Sequence, residues 1–555
     1  MIRREFLVRT LGAAAASLFA RDVFAQQHAH GMMEMPNMPA MPSMPAGKMP
    51  MMSAALAPAD ALPAGASLPA LRTLVNQSGE RGVFRATLVA KPHSLELLPG
   101  TTTSFWLYGD DPSAVSGSPI NGPVVGPLID VREGDTVEIA FVNGLLQPST
   151  IHWHGMPVPP DQDGNPMNPV APGATHVYRF TLPRGSAGTY WYHPHPHMVT
   201  AEQVYRGLAG PIIVRAADDP LAEWPERHLF ISDLKLAADG TVAPNDMMDW
   251  MNGREGQFVL VNGVRRPRIV VSRDERWRVW NASSARYVRL TFDDGRRFAQ
   301  VGTDGGLLES PREDLTELLL VPGERAELIV RAGSGEGAEG ARTAPSRAVL
   351  TAAVYDRSKM AMTHGSLPPD PSRALADVEF TPAADANDVE ASSANIQAQR
   401  LLPTHLRTIT SLGKPTARKS VVFSEQMDMA AMHRPGASNH GMPAGMSFLI
   451  NGATYDPNRT TLTSRRGEVE LWSIENRTDM DHPFHLHGTQ FQIVERESDG
   501  KTIPEPFRAW RDMANVKPGE TVRIATMQSM RGERMFHCHI LEHEDLGMMG
   551  TLKVI

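Results

Sequence analysis

EGDTVEIAFVN, residues 133–143, leaves a charged turn, alternates polar and apolar side chains, and stops at an asparagine. Successive residues of a strand face opposite ways, so this pattern predicts a β-strand with one face buried. The same phrase recurs from Asp274 to Asn281 and from Arg466 to Asn476, and a Pro-Gly turn accompanies each copy, at Pro172-Gly173, Pro322-Gly323 and Pro518-Gly519. Between these landmarks the chain is written in short β-type runs split by Gly, Pro and Asn-Gly, with few segments of helical period. Three β-domains in tandem, each a sandwich, are the simplest account.

The 555-residue length suits three domains of ordinary size. A formal charge of −8 with both signs interspersed argues against a nucleic-acid partner. No run is long and apolar enough for stable membrane insertion, and one cysteine precludes an internal disulfide. The expected boundaries are 71–217, 218–360 and 416–555 for the domains, with a linker at 361–415 where Ala, Ser, Gly and Pro accumulate. Residues 1–25 resemble a twin-arginine export signal: Arg3-Arg4 precede a short Ala-rich run, and Val23-Phe24-Ala25 offers a small-x-small cleavage site. That implies a periplasmic protein exported already folded. Residues 26–70, rich in Met, Pro and Ala, are expected to lack structure, and a monomer is expected.

The chemistry lies in the histidines. His-x-His occurs at His152/His154, His193/His195, His485/His487 and His537/His539. On a strand, residues i and i+2 share a face, so four pairs offer eight imidazoles in two-pronged sets. A further pair, His28/His30, falls in the low-complexity stretch and is read as incidental. The lone cysteine sits inside the last pair, so Cys538 faces away from His537 and His539 and can serve a second site. Cys538, His543 five residues on, Met548 ten residues on and a distant His482 form the ligand set of a blue-copper centre: one thiolate, two imidazoles, a weak axial thioether. Met549 competes with Met548 on spacing alone. A zinc site would want more thiols.

The motifs IHWHG, YWYHPHPH, HPFHLHG and HCHILEHEDLGMMG together resemble the three-domain multicopper oxidases, the family of laccases, ascorbate oxidase and bacterial copper-efflux oxidases. The likeness runs from about residue 85 to the end and implies three cupredoxin-like Greek-key β-sandwich domains and four copper ions. Carried over residue by residue, type 1 copper takes His482, Cys538, His543 and Met548, and type 2 takes His152 and His485. The type 3 pair takes His154, His193, His195, His487, His537 and His539, with His197 outside the ligand set. The resemblance implies one-electron oxidation of a substrate coupled to four-electron reduction of dioxygen to water. The copper cluster is expected between domains one and three, and domain two, with no His-x-His pair, is expected to be a spacer.

Asp163 and Glu544 match proton-relay acids of the copper-efflux oxidases; a turn residue before Gly164 and a solvated surface charge are the plainer alternatives. Thioethers are soft ligands for Cu(I). They crowd residues 32–52 and recur at Met427, Met429, Met432, Met442 and Met446, with His433 and His440 among them. Beside His482, Met480 matches an efflux-oxidase position for substrate Cu(I), but Thr478 stands where that family has Asp, leaving Asp479 and Asp481 as substitutes. Three functions follow as expectations: a cuprous oxidase in copper tolerance with some phenol oxidation, a laccase-like oxidase of phenols or aromatic amines, and a non-enzymatic copper-binding protein. The last leaves eight ordered imidazoles unexplained.

Overall fold

The computed structural model describes residues 54–111, 124–333, 345–361, 365–381, 401–428, 431 and 441–555. Six sheets pair into three β-sandwiches. In the first, a sheet ordered Thr103–Gly109, Val83–Leu95, Thr136–Asn143, Thr175–Thr181 faces one ordered Ile129–Arg132, Gly210–Arg215, Gly188–His193, His152–His154. The strand read first in the sequence alternates as expected: Val137, Ile139 and Phe141 are buried and join Trp153, Tyr178 and Tyr192 in the core. The second domain packs a seven-stranded sheet on a five-stranded one, and the third a six-stranded sheet on a five-stranded one. Among the described residues no helix is long and apolar enough to cross a membrane.

The repeated asparagine and the repeated Pro-Gly turn meet in space in every domain. Asn143 Nδ2 donates to the carbonyls of Gln147 and Val170, while the Gly173 N–H returns to the Asn143 carbonyl at 2.7 Å. Asn281 does the same with Arg286, Leu320 and Gly323 (2.8 Å), and Asn476 with Met480, Val516 and Gly519 (2.9 Å). The three glycines have φ of +75°, +89° and +70°, left-handed values that a β-carbon would strain. Each knot pins the end of one strand and the start of the next loop. In domains one and three that loop leads directly into a His-x-His strand.

Two boundaries differ from expectation. Residues 54–70 run extended along the second domain: Ala57 N–H donates to the Leu236 carbonyl, Leu68 N–H to Arg268, and Arg268 N–H to Ala66. Backbone hydrogen bonds to sheet edges order this stretch although its composition is poor in core-forming side chains. Likewise Arg373–Phe380, inside the expected linker, is a strand of the second domain, antiparallel to Ser346–Ala353 and parallel to Arg268–Val271. Leu375, Ala376, Val378 and Phe380 are its buried face, and the alanines disguised that pattern. The expected signal and the rest of the Met-rich stretch lie outside the described residues, as do Met429, Met432, His433 and His440.

Candidate metal centre

Strand pairing sets the histidines. His152–His154 lies antiparallel to Gly188–His193, with His152 opposite His193 and Trp153 opposite Tyr192. Trp153 and Tyr192 fill the core of the first domain, so the pleat turns His152, His154 and His193 outward. In the third domain, His482–Leu486 lies antiparallel to Gly532–Cys538, with His485 opposite His537 and Phe484 opposite Cys538. Phe484 and Cys538 point into that core, and His485 and His537 point the other way.

The outward histidines of the two domains converge. His152 Nε2 lies 3.4 Å from His485 Nε2, bridging 333 positions of sequence. His537 Nε2 is 3.2 Å from His195 Nε2 and 3.0 Å from His487 Nε2. His154 Nδ1 is 3.4 Å from His193 Nε2, and the His539 ring lies 4.9 Å from that of His154 and 5.6 Å from that of His193. All eight are fully buried, and neither ring nitrogen of His539 has a hydrogen-bond partner in the protein. Burial first, and neighbouring imidazoles second, hold His154, His193, His195, His485 and His487 far below the usual histidine range; burial brings His537 to about 3. Neutral imidazoles with converging lone pairs are metal ligands in waiting. The trios His152/His485/His487, His195/His487/His537 and His152/His154/His193 each place their ligand atoms within 4.8 Å of one another.

Across the strand lies the second site. Cys538 Sγ is 3.3 Å from His482 Nδ1 and 3.9 Å from His543 Nδ1, and the two nitrogens are 3.3 Å apart. The far nitrogens are engaged: His482 Nε2 with Thr478 Oγ1 at 2.8 Å, His543 Nε2 with the Met251 carbonyl at 3.1 Å. Both rings are thereby aimed through Nδ1. Phe448 stacks flat on His543, ring centres 3.8 Å apart. Met548 shares the buried cluster of Cys538, whereas Met549 packs elsewhere, with Tyr455 and Met535. Burial pushes the Cys538 thiol well above its ordinary range, so a thiolate here requires a cation beside it. Two imidazoles, a thiol and a thioether, all dry, fit a soft metal such as copper.

Asp163 is no mere turn residue. Its side chain is fully buried, with Oδ2 3.1 Å from His487 Nδ1 and Oδ1 3.2 Å from His152 Nδ1, the latter out of hydrogen-bonding line. Glu544 is equally far from a solvated charge: its carboxylate lies 3.4 Å from His195 Nε2 and 3.2 Å from His537 Nδ1. Burial and the neighbouring Asp545 push its pKa up. Asp545 itself accepts the N–H groups of Thr200 and Ala201, tying the helix Leu541–Asp545 to the first domain. His197 is outside the cluster, its ring 4.9 Å from Tyr455.

Several neighbours escaped sequence reasoning. The second domain is not a spacer: its Pro-Gly turn abuts the cluster, where a β-carbon on Gly323 would stand 3.1 Å from His154 and His539. The recurring turn was the visible signal. Around Cys538 the cluster includes not only Met442, Met446 and Met480, with Met427 packed against it, but also Met251 and Met360, flanked by Met198, Met247 and Met248. Met442, Met446 and Met480 are buried side chains, not members of an open loop. Of the two acids flanking Met480, Asp479 is exposed, and Asp481 accepts from Tyr355 Oη and Asn515 Nδ2, both at 2.7 Å.

Residues 108–219 and 424–555 each match a sequence profile described as multicopper oxidase. A multicopper oxidase of Staphylococcus haemolyticus is 30% identical over 444 residues, 78% of this chain and 83% of that one. A laccase of Bacillus subtilis is 27% identical, covering 89% of this chain and 98% of its own. Among solved structures, a Campylobacter jejuni multicopper oxidase, described as a metallo-oxidase, superposes with a TM-score of 0.79 and 40% identity, over 90% of this chain and 98% of that one.

Proposed function

The chain belongs to the multicopper oxidase family, and from that footing we propose that it oxidises Cu(I), one electron at a time, and reduces dioxygen to two waters. Four copper ions are the proposed cofactors. Type 1 copper is assigned to His482, Cys538, His543 and Met548; type 2 to His152 and His485; the type 3 pair to His195, His487 and His537 on one side and His154, His193 and His539 on the other. Bound copper supplies the electron carriers and the dioxygen-reducing centre. The chain supplies the wiring: His537 and Cys538 are adjacent in sequence yet face opposite sites, so a single peptide joins the two. That relationship carries the reading.

The remaining residues bind, orient and move protons. Neutral imidazoles give lone pairs, and complete burial excludes water from the reacting space. Asp163 meets His487 Nδ1 with its carboxylate and His152 Nδ1 with its backbone carbonyl, which positions the carboxylate beside the cluster as a proton carrier. Glu544, its pKa raised by burial and by Asp545, holds a proton beside His195 and His537 to higher pH than an exposed carboxyl would. Cu(I) is favoured as substrate because thioethers from several segments crowd the type 1 side of the protein. A role in periplasmic copper tolerance, reached through twin-arginine export, is part of the proposal. The similarity to a laccase supports a second reading, oxidation of small phenols.

Oxygen uptake by copper-loaded protein tests both, with acetonitrile-stabilised Cu(I) and a dimethoxyphenol as donors. Four electrons consumed per dioxygen, no peroxide, and a higher kcat/KM for Cu(I) are expected. Peroxide release would overturn the four-electron reading, and preference for the phenol would place laccase activity first.

A further inference from the structure

Arg325 belongs to the second domain, follows the third-domain-facing turn Pro322-Gly323-Glu324, and has no exposed side-chain surface. All five of its guanidinium N–H groups are used. Nη1 and Nη2 each donate to Asp512 of the third domain at 2.6 Å, as a two-pronged fork. Nε donates to the Thr189 carbonyl of the first domain at 2.9 Å, and the two remaining hydrogens go to the carbonyls of Gly323 and Asp304, both at 3.1 Å. One side chain thus joins all three domains. Thr189 lies on the strand that carries His193.

Asp512 faces the copper ligands. Its Oδ1 lies 3.0 Å from His154 Nε2, and its backbone carbonyl 3.0 Å from His485 Nδ1. A carboxylate accepts and cannot donate, so the His154 proton sits on Nε2 and the free lone pair on Nδ1. That Nδ1 is the atom facing His193 Nε2 at 3.4 Å. The backbone is cut to fit: a β-carbon on Gly155, directly after His154, would stand 2.2 Å from Asp512 Oδ2 and 2.5 Å from Arg325 Nη2.

We propose that Arg325 is a positioning residue for the trinuclear copper site, acting through Asp512 to fix the orientation and tautomer of His154. The inference rests on the assignment of His154 and His193 to the type 3 pair. The guanidinium fork holds both carboxylate oxygens in one plane, which leaves Oδ1 a single direction in which to receive His154. Lysine keeps the charge but, as a point donor, cannot hold that plane. Partners that orient a metal-bound imidazole contribute roughly 10- to 100-fold in metal affinity.

The test is copper affinity in full-length protein, by competition with graded chelators, with the blue type 1 absorbance as an internal reference. Arg325→Lys and Asp512→Asn are each expected to weaken binding of trinuclear copper by roughly 10- to 100-fold while the blue band persists. They should also raise the paramagnetic fraction of bound copper, because an incomplete type 3 pair cannot couple. Full loading of Arg325→Lys at wild-type affinity would overturn the proposal, since charge alone would suffice. So would parallel loss of type 1 and trinuclear copper, which marks a general structural tie. Asp512→Asn, nearly isosteric, keeps the question open to measurement if the arginine variant misfolds. Failure of the wild-type protein to bind copper beyond type 1 would instead reject the site assignment.

Discussion

The Asp163 carboxylate stands 3.1 Å from His487 Nδ1, joining residues 324 positions apart and belonging to the first and third domains. The contact depends on a tight backbone. Gly164 adopts φ +67°, and a β-carbon there would lie 2.0 Å from the Ile151 carbonyl oxygen. Asp163 is therefore pressed onto the two histidines it faces.

Replacing Asp163 by Asn preserves the shape and removes the proton carrier. Dioxygen reduction is expected to slow by at least ~10-fold, within the usual reach of acid–base catalysis. Anaerobic bleaching of the blue colour by a reductant is expected to keep its rate. Stopped-flow absorbance separates the two steps, and equal slowing of both would mean that Asp163 only packs.

Glu544 supplies the companion prediction. Its pKa is raised by burial and by Asp545, so the proton it offers is held to higher pH than on an exposed carboxyl and lost as pH climbs through the raised value. The dioxygen-reducing step should fall along an alkaline limb in the wild-type protein. In Glu544→Gln the limb should vanish and the plateau drop. A pH–rate profile that keeps its alkaline limb in the variant would assign the limb to another group.

Sequence periodicity reached the fold because the repeated asparagine and Pro-Gly turns are local signals with one structural meaning. His-x-His pairs were legible for the same reason: strand pleat converts a spacing of two into a shared face. What stayed hidden depends on partners far apart in the chain. Arg325 and Asp512 are 187 positions apart, and nothing near either residue announces the pair. Spacing does not separate Met548 from Met549; the family resemblance names Met548, and packing puts it in the buried cluster of Cys538. Residues 54–70 were misread because composition reports side-chain burial, while backbone hydrogen bonds order that stretch.

The single cysteine makes a sharp case. Cys538→Ser should remove the blue colour and one copper per chain while trinuclear copper stays bound, because His537 and His539 face the other side of the strand. Met548→Leu should keep the colour and shift the reduction potential upward, since an axial thioether tunes the site without creating it. Met549→Leu should change neither, as Met549 packs against Tyr455 and Met535. Copper analysis with a redox titration checks all three, and a potential shift in Met549→Leu alone would reverse the axial assignment.

Copper-free protein should be more acid-labile than the copper-loaded form. Burial lowers His482 and His537 from 6.5 to about 3, and pushes down His154, His193, His195, His485, His487, His539 and His543 as well. Below pH 6.5 the unfolded chain takes up protons that the folded one refuses, so each such histidine removes stability as pH falls until its folded pKa is passed. Buried carboxylates act in the opposite sense: Glu542, raised to about 7, together with Glu544 and Asp545, weakens the fold as pH rises from about 4.5. Asp233, raised to about 6, Glu425, raised to about 7, and Asp304, raised to about 8, act with them, so the histidine contribution is read as the difference between copper-free and copper-loaded protein. Calorimetry from pH 7 to pH 5 should show the unfolding midpoint of the copper-free chain falling, relative to that of the copper-loaded protein, by roughly 3 °C or more per pH unit. The copper-loaded protein should escape this histidine-driven loss, because the metal occupies the nitrogens that protons would otherwise claim. A difference between the two forms that stays constant with pH would mean that water reaches these histidines when the metal is gone.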